Sequence, residues 1–185
     1  MELNDLIGLS ATKTMHITKE LLTLASVRQE EIKPRPVDMK KIVMDSISRL
    51  KDMISENVAQ INLLAEWPVV SGHEAWLEEI WINYLSNAIK YGGNPPIIEF
   101  GCEILEHGKA RYWIKDNGKG LSAEEIEKLF IKFTRLDPGK AEGHGLGLSI
   151  VKRIVEKLNG EVGVESKNIP GEGSSFYFIL PLAIK

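Results

Sequence analysis

A run of glycines alternating with side chains, Gly143-His144-Gly145-Leu146-Gly147-Leu148-Ser149, constrains this chain more than any other stretch. It leads directly into a segment in which Leu148, Val151, Ile154, Val155 and Leu158 recur at helical spacing, and Asn159-Gly160 supplies the stop. A glycine-rich loop feeding a helix N-terminus presents unpaired backbone N–H groups and the positive end of the helix dipole, a combination suited to an anion. Glycine lets the backbone approach that anion closely and take positive φ. Read alone, the run describes a flexible turn before a surface helix better than a phosphate loop. The rest of the chain has to decide.

At 185 residues there is room for one core-forming domain and an extra element. Hydrophobic residues at 43% and charged residues at 26% are ordinary for a soluble globular protein. A net charge of −3 with no strongly basic block argues against a nucleic-acid partner, so bound phosphates must be met by local cations and backbone dipoles. The single cysteine, Cys102, excludes an internal disulfide and a cysteine-based zinc site, and suits a reducing compartment. His16, His73, His107 and His144 show no ligand spacing. No apolar run is long enough to span a membrane and no signal peptide is recognisable. A cytoplasmic location is therefore expected, in a parent protein either soluble or membrane-anchored. The chain opens directly in helical sequence, as a segment of something longer would.

Residues 3 to about 31 read as one long helix. Leu3, Ile7, Ile17, Leu21 and Leu24 alternate at spacings of three and four, interrupted by Ser10 and Thr14, and Leu6, Leu22, Ala25 and Val27 widen the apolar face. Such a helix cannot bury that face alone, so it is expected in a bundle or against a partner chain, or docked back on the main domain. Residues 34–36, within Lys33-Pro34-Arg35-Pro36, read as a stiff linker between residues 1–33 and a domain over 37–185. In that domain Val37 to Ser55 reads as helix, Gln60 to Glu66 and Val69-Val70 as short strands, and Glu74 to Lys90 as a second strong helix. Ile97 to Leu105, Ala110 to Asp116, Glu161 to Ser166 and Ser175 to Leu180 are rich in β-branched and aromatic residues and read as strands. Ser122 followed by Glu125 opens a short helix through Leu129 with capping-box chemistry. This order predicts an α+β fold: a two-layer α/β sandwich with a mixed sheet and helices on one face, preceded by the long N-terminal helix.

The helix Glu74–Lys90 has two faces. Leu77, Ile80, Trp81, Tyr84, Leu85 and Ala88 form a core stripe, and opposite lie Glu79, Asn83 and Asn87, then Lys90-Tyr91. Asparagine is a mediocre helix former, so two of them one turn apart need a reason. A solvated face that happens to carry amides is one; amide oxygens holding a hard cation such as Mg²⁺, with Lys90 at phosphate oxygens, is the other. Asp116-Asn117-Gly118-Lys119-Gly120-Leu121 follows the strand ending at Lys115, and most such turns are only turns. A carboxylate there, beside glycines that admit a flat ring, can also accept a hydrogen bond from an exocyclic amine. Adenine offers that donor at N6 where guanine presents an acceptor, so a buried Asp116 would favour adenine. Gly171-Glu172-Gly173-Ser174-Ser175-Phe176 reads by itself as a loop entering the last strand.

In order, these stretches resemble the N, G1, G2 and G3 boxes of the ATP-binding domain of sensor histidine kinases, within the superfamily that includes gyrase, the heat-shock chaperone ATPase and MutL. Asn83 to Tyr91 is similar to the N box, Asp116 to Gly120 to G1, Gly143 to Leu148 to G2, and Gly171 to Phe176 to G3. Leu129-Phe130-Ile131-Lys132-Phe133-Thr134-Arg135 resembles the F box that precedes a flexible lid. The similarity covers about residues 37–185. No GxxxxGK[ST] and no kinase-type HRD or DFG is present.

The resemblance implies that Asp116 binds the adenine amine, with a water and Ser174 or Ser175 completing the ring's contacts, while Gly118, Gly120 and Leu121 shape the base pocket. It implies that Asn87 and Asn83 hold Mg²⁺ bridging the phosphates of ATP. Lys90, Tyr91 and Arg135 contact phosphate or ribose oxygens, with Asn83, Lys90 and Arg135 nearest the transfer chemistry and Phe133 bordering the nucleotide. Gly143, His144, Gly145, Leu146, Gly147 and Leu148 cradle the phosphate chain beneath a short lid, Leu136 to Glu142. His144 stands where the family often has a small hydroxyl residue, which leaves one contact open.

The superfamily's hydrolases place a glutamate one helical turn before the Mg²⁺-binding asparagine. Here that position is Asn83, an amide that cannot act as a general base. Phosphoryl transfer to an imidazole nitrogen is favoured instead, since it needs little beyond positioning and charge neutralisation. In the family the acceptor histidine lies on the first helix of a dimerisation hairpin and is followed by an acid; His16 lacks the acid and sits on a helix resembling the second. The chain thus reads as the ATP·Mg-binding core of a protein-histidine kinase, unable to phosphorylate itself. Its implied partners are ATP or ADP, the acceptor-histidine helix and a response-regulator receiver domain, with a homodimer in the full-length protein. A superfamily ATPase and a nucleotide-binding regulatory module are the alternatives; Asn83 counts against the first.

Overall fold

The computed structural model describes residues 14–15, 18, 22–23, 25–27, 33–63, 66–131 and 145–183. In chain order its elements are Arg35–Val37 (β1), Met39–Arg49 (α1), Lys51–Glu56 (α2), Gln60–Leu63 (β2), Val70–Gly72 (β3), Glu74–Tyr91 (α3), Ile97–Leu105 (β4), Lys109–Lys115 (β5), Ala123–Lys128 (α4), Gly147–Lys157 (α5), Glu161–Ser166 (β6) and Ser174–Pro181 (β7). Five strands form the main sheet in the order β2-β4-β5-β7-β6. β2 and β4 run parallel and the remaining neighbours antiparallel, so the sheet is mixed, as the sequence predicts.

Strand alternation assigns the two faces of this sheet. On one, Phe100, Tyr112 and Phe178 from β4, β5 and β7 meet Leu77, Trp81, Tyr84 and Leu85 of α3 and Ile150, Val151 and Ile154 of α5, all buried in one core. Trp81 sits at its centre, 5.2 Å from the Phe178 ring and 5.4 Å from Phe100, with its indole N–H donating to Met39 Sδ at 3.1 Å. Truncating such a residue costs about 3–5 kcal/mol. The opposite face is covered by its own side chains. Trp113 lies over Gly101 and Tyr177 over Gly163, where any Cβ would meet the ring. Arg111 completes that cover, 4.0 Å above the Tyr177 ring and paired with Glu103 and Glu165.

Two sequence expectations change. The proposed linker at residues 34–36 is partly a strand: Arg35–Val37 pairs antiparallel with Val70–Gly72. The helix expected from Val37 begins at Met39, where Asp38 caps it by accepting from the Lys41 N–H at 3.3 Å, and it breaks at Leu50 into α1 and α2. The capping box at Ser122 and Glu125 forms as predicted. Of the long N-terminal helix, only residues 14–15, 18, 22–23 and 25–27 are described, with helical backbone; Val27 is fully buried in the common core. The rest of that prediction, His16 included, lies outside the described residues. No helix among the described residues is long and apolar enough to cross a membrane.

Candidate nucleotide site

Three elements bring the singled-out residues together: the polar face of α3, the turn after β5, and the N-terminus of α5. Each approach is made through a glycine. A Cβ on Gly147 would collide with Asn83 Oδ1 and lie 3.3 Å from its Cγ, so the start of α5 rests directly on the amide face of α3. A Cβ on Gly118 would collide with the Tyr91 carbonyl oxygen, so the turn after β5 rests on the end of the same helix. Substituting either glycine drives these surfaces apart.

Asp116 extends β5 and is 7% exposed. Its Oδ1 accepts from the Gly118 N–H at 2.7 Å, and its backbone N–H donates to the Ser174 carbonyl at 3.0 Å. Burial pushes its carboxyl pKa up, and hydrogen bonding from the backbone of Gly118 and Ser174 offsets part of that rise. Lys115 adds a favourable charge nearby, yet no cation among the described residues forms an ion pair with the carboxylate, which keeps acceptor capacity for an uncharged donor. Gly120, at φ +79°, turns the chain back at a place where a Cβ would lie 3.0 Å from Ser166 Oγ. Leu121 follows, half-buried. Strand alternation separates the two serines of the last loop: Ser174 is buried and shares the Asp116 face, whereas Ser175 pairs with Lys115 on the outer face and lines a cavity of about 340 Å³ with Trp113, Lys115, Ser166 and Gly173. The structure therefore places Ser174, not Ser175, on the Asp116 face.

On α3, Asn83, Asn87 and Lys90 are half-buried and Tyr91 is exposed. The Asn83 amide nitrogen donates to the Glu79 carbonyl at 2.9 Å and to Glu79 Oε1 at 3.3 Å, which leaves its oxygen against Gly147. Asn87, one turn on, makes no side-chain hydrogen bond to the described residues. No group of three or more His, Cys, Asp or Glu among the described residues could hold a metal ion. Magnesium needs no such group: it keeps several waters and takes one or two protein oxygens beside substrate phosphates. The Asn87 amide fits that requirement.

α5 begins without a side-chain cap, so its first N–H groups stay available to an anion. Gly145 precedes it at φ +71°, Leu146 is fully buried and anchors the loop, and Leu148 is half-buried against the core. The Ser149 hydroxyl donates back to the Leu146 carbonyl at 2.7 Å. Phe133, Arg135, Gly143, His144 and the lid lie outside the described residues.

A family model described as histidine kinase-, DNA gyrase B- and HSP90-like ATPase matches residues 72–184, which contain all three of these elements. The chain belongs to this ATPase family. Within the family it is an ATP-binding catalytic domain of the sensor histidine kinase type. It is 31% identical over 170 residues to the methanogenesis regulatory histidine kinase FilI of Methanothrix harundinacea (strain 6Ac), covering 91% of this chain and 19% of that protein. It is 31% identical over 177 residues to the phytochrome-like protein Cph1 of Synechocystis sp. (strain ATCC 27184 / PCC 6803 / Kazusa), covering 95% of this chain and 23% of that protein. The chain thus spans about a fifth of the length of these curated relatives. Among solved structures, the mycobacterial sensor histidine kinase MprB superposes with a TM-score of 0.73 at 26% identity, covering 83% of this chain and 100% of that one.

Residues that the sequence did not single out also hold these elements together. The Asn117 Oδ1 accepts from the Gly93 and Ile97 N–H groups at 2.8 and 2.9 Å, while its Nδ2 donates to the Pro95 carbonyl at 3.1 Å. It thereby ties the loop after α3 to the turn that carries Asp116. Asn117 was visible only as a turn residue; its partners come from a loop some twenty positions earlier. Ser166, at the end of β6, gave no signal at all.

Proposed function

We propose that this chain is the ATP·Mg²⁺-binding catalytic core of a sensor histidine kinase, transferring the γ-phosphoryl group of ATP to a histidine on a dimerisation helix for relay to a response-regulator receiver domain. The observation that carries the proposal is the seating of Gly147 on Asn83, which sets the uncapped N-terminus of α5 against the amide face of α3. Phosphates entering there meet helix N–H groups on one side and Asn87 and Lys90 on the other. Magnesium held by Asn87 and phosphate oxygens would supply charge neutralisation at the transferring group. Asp116 accepts from the adenine amine, with Ser174 beside it and Gly118, Gly120 and Leu121 admitting the ring. Asn83 positions α5 through its contact with Gly147.

Hydrolysis is disfavoured by the same arrangement. Asn83 offers no base, and the next carboxylate on that face, Glu79, lies a further turn away and is held by the Asn83 amide. Among proteins of the same fold, ShkA was solved in complex with AMPPNP and ThkA in complex with the response regulator TrrA, the nucleotide and partner classes assigned here.

The test supplies γ-labelled ATP and a separate domain carrying an acceptor-histidine helix. Acid-labile label on that histidine, with little free phosphate, is the expected result. Steady phosphate release would make the protein an ATPase, and tight binding with neither outcome would make it a regulatory module.

A further inference from the structure

We infer that Ser166 is a positioning residue for base recognition: its hydroxyl locks the turn that follows Asp116 to the loop that precedes β7, and so fixes the aim of the Asp116 carboxylate. The inference rests on the reading of Asp116 as the base-binding carboxylate.

Ser166 ends β6, outside every motif that points to nucleotide chemistry. Its hydroxyl accepts from the Leu121 N–H at 2.9 Å and, at longer range, from the Asn168 N–H at 3.4 Å; it donates to the Gly173 carbonyl at 2.9 Å, and the Ser174 hydroxyl lies 3.2 Å away. A hydroxyl has one donor and two acceptor sites, so the shorter bonds to Leu121, Gly173 and Ser174 fill it and the longer Asn168 contact shares an acceptor site. Leu121 lies at the far end of the Asp116 turn, and Gly173 and Ser174 enter the strand beside it. The same two loops are joined by backbone bonds: the Gly171 and Gly173 N–H groups both donate to the Gly118 carbonyl, at 2.8 and 3.2 Å. Ser166 is the side chain that reaches Leu121, Gly173 and Ser174 at once.

Asp116 is fixed at its N–H by Ser174 and at Oδ1 by Gly118, so its carboxylate is aimed by these loops and not by its own strand alone. Removing the Ser166 hydroxyl leaves the Leu121 N–H and the Gly173 carbonyl without it. The turn and the loop can then shift against each other within their backbone bonds, and the Asp116 carboxylate that they aim shifts with them. Among the described residues, α3 and α5 at the phosphate end share no bond with Ser166 and are left alone.

The experiment measures the affinity of the full chain for ADP and for inorganic tripolyphosphate, in Ser166→Ala, Ser166→Thr and the unchanged protein. We expect Ser166→Ala to weaken ADP by roughly tenfold, the scale of a lost hydrogen bond plus a stranded partner. Tripolyphosphate affinity should stay within twofold, and Ser166→Thr, which keeps the hydroxyl, should restore ADP. A Ser166→Ala protein that binds ADP within twofold of normal overturns the inference. So does one that loses both ligands equally, which marks a merely structural role, or one that Thr fails to rescue. If the unchanged protein itself binds no ADP, the nucleotide reading fails instead.

Discussion

Gly173 stands so close to Asp116 that a Cβ on it would collide with the Asp116 carbonyl oxygen and lie 2.7 Å from Oδ1. Gly173 also has φ +64°, so the site leaves no room for a side chain and the backbone favours none. Gly173→Ala is expected to lose about 1–3 kcal/mol of stability and its adenine nucleotide binding. Gly171→Ala is the contrast. Gly171 has φ +88° but nothing within 4 Å of its Cβ, so it should lose about 1–2 kcal/mol and keep nucleotide binding. Denaturant midpoints and ADP titrations of the two variants check both statements.

Gly147 and Asn83 make a coupled pair. Gly147 is helical, where alanine is intrinsically better by about 1 kcal/mol, yet its Cβ would strike Asn83 Oδ1. Gly147→Ala alone should therefore destabilise the protein and weaken triphosphate binding. Combined with Asn83→Ala, the same change should be neutral or stabilising, a coupling of about 1–3 kcal/mol in a double-mutant cycle. Additive effects would mean that the two elements do not touch.

Burial raises the Asp116 carboxyl pKa, so the folded protein binds the proton more tightly than the unfolded chain. Ionised Asp116 therefore weighs against stability as pH rises from the ordinary aspartate value, about 3.9, through the raised one. Adenine binding runs the other way, since its amine needs the carboxylate as acceptor. ATP affinity should fall as pH drops through that raised value, at milder acidity than an ordinary aspartate would produce. Asp116→Asn should lower affinity by roughly 10- to 100-fold, flatten the pH profile and leave stability at neutral pH undiminished. Calorimetric titrations at several pH values, with melts of the two proteins, decide it.

Metal removal should act through Asn87. EDTA is expected to weaken ATP binding to the unchanged protein, whereas Asn87→Ala should bind ATP weakly with or without Mg²⁺. An Asn87→Ala protein that still responds fully to Mg²⁺ would place the ion elsewhere.

Local pattern carried the elements built from local rules. The strands Ile97–Leu105 and Glu161–Ser166 fall on their predicted bounds, and Ser122 with Glu125 marks the start of α4. Asp116, Gly118 and Gly147 were legible as candidates because glycines beside a carboxylate at a strand end are a local signal, and the structure shows the close backbone approaches that require those glycines. What stayed hidden depends on distant partners. Pro36 reads as a breaker, and only its pairing with Ser71 makes residues 35–37 a strand. Ser166 reads as a strand-end hydroxyl until Leu121 and Gly173 are folded around it. The two serines of the last loop look equivalent in sequence, and the alternation of β7 sends them to opposite faces.

Titration of the protein with ATP and with GTP, in Mg²⁺ at neutral pH, tests the central claim most directly. Asp116 should make the site accept ATP saturably, one per chain, and reject GTP, which presents an acceptor where adenine presents its amine. Equal binding of the two nucleotides, or no binding of ATP, would contradict the account.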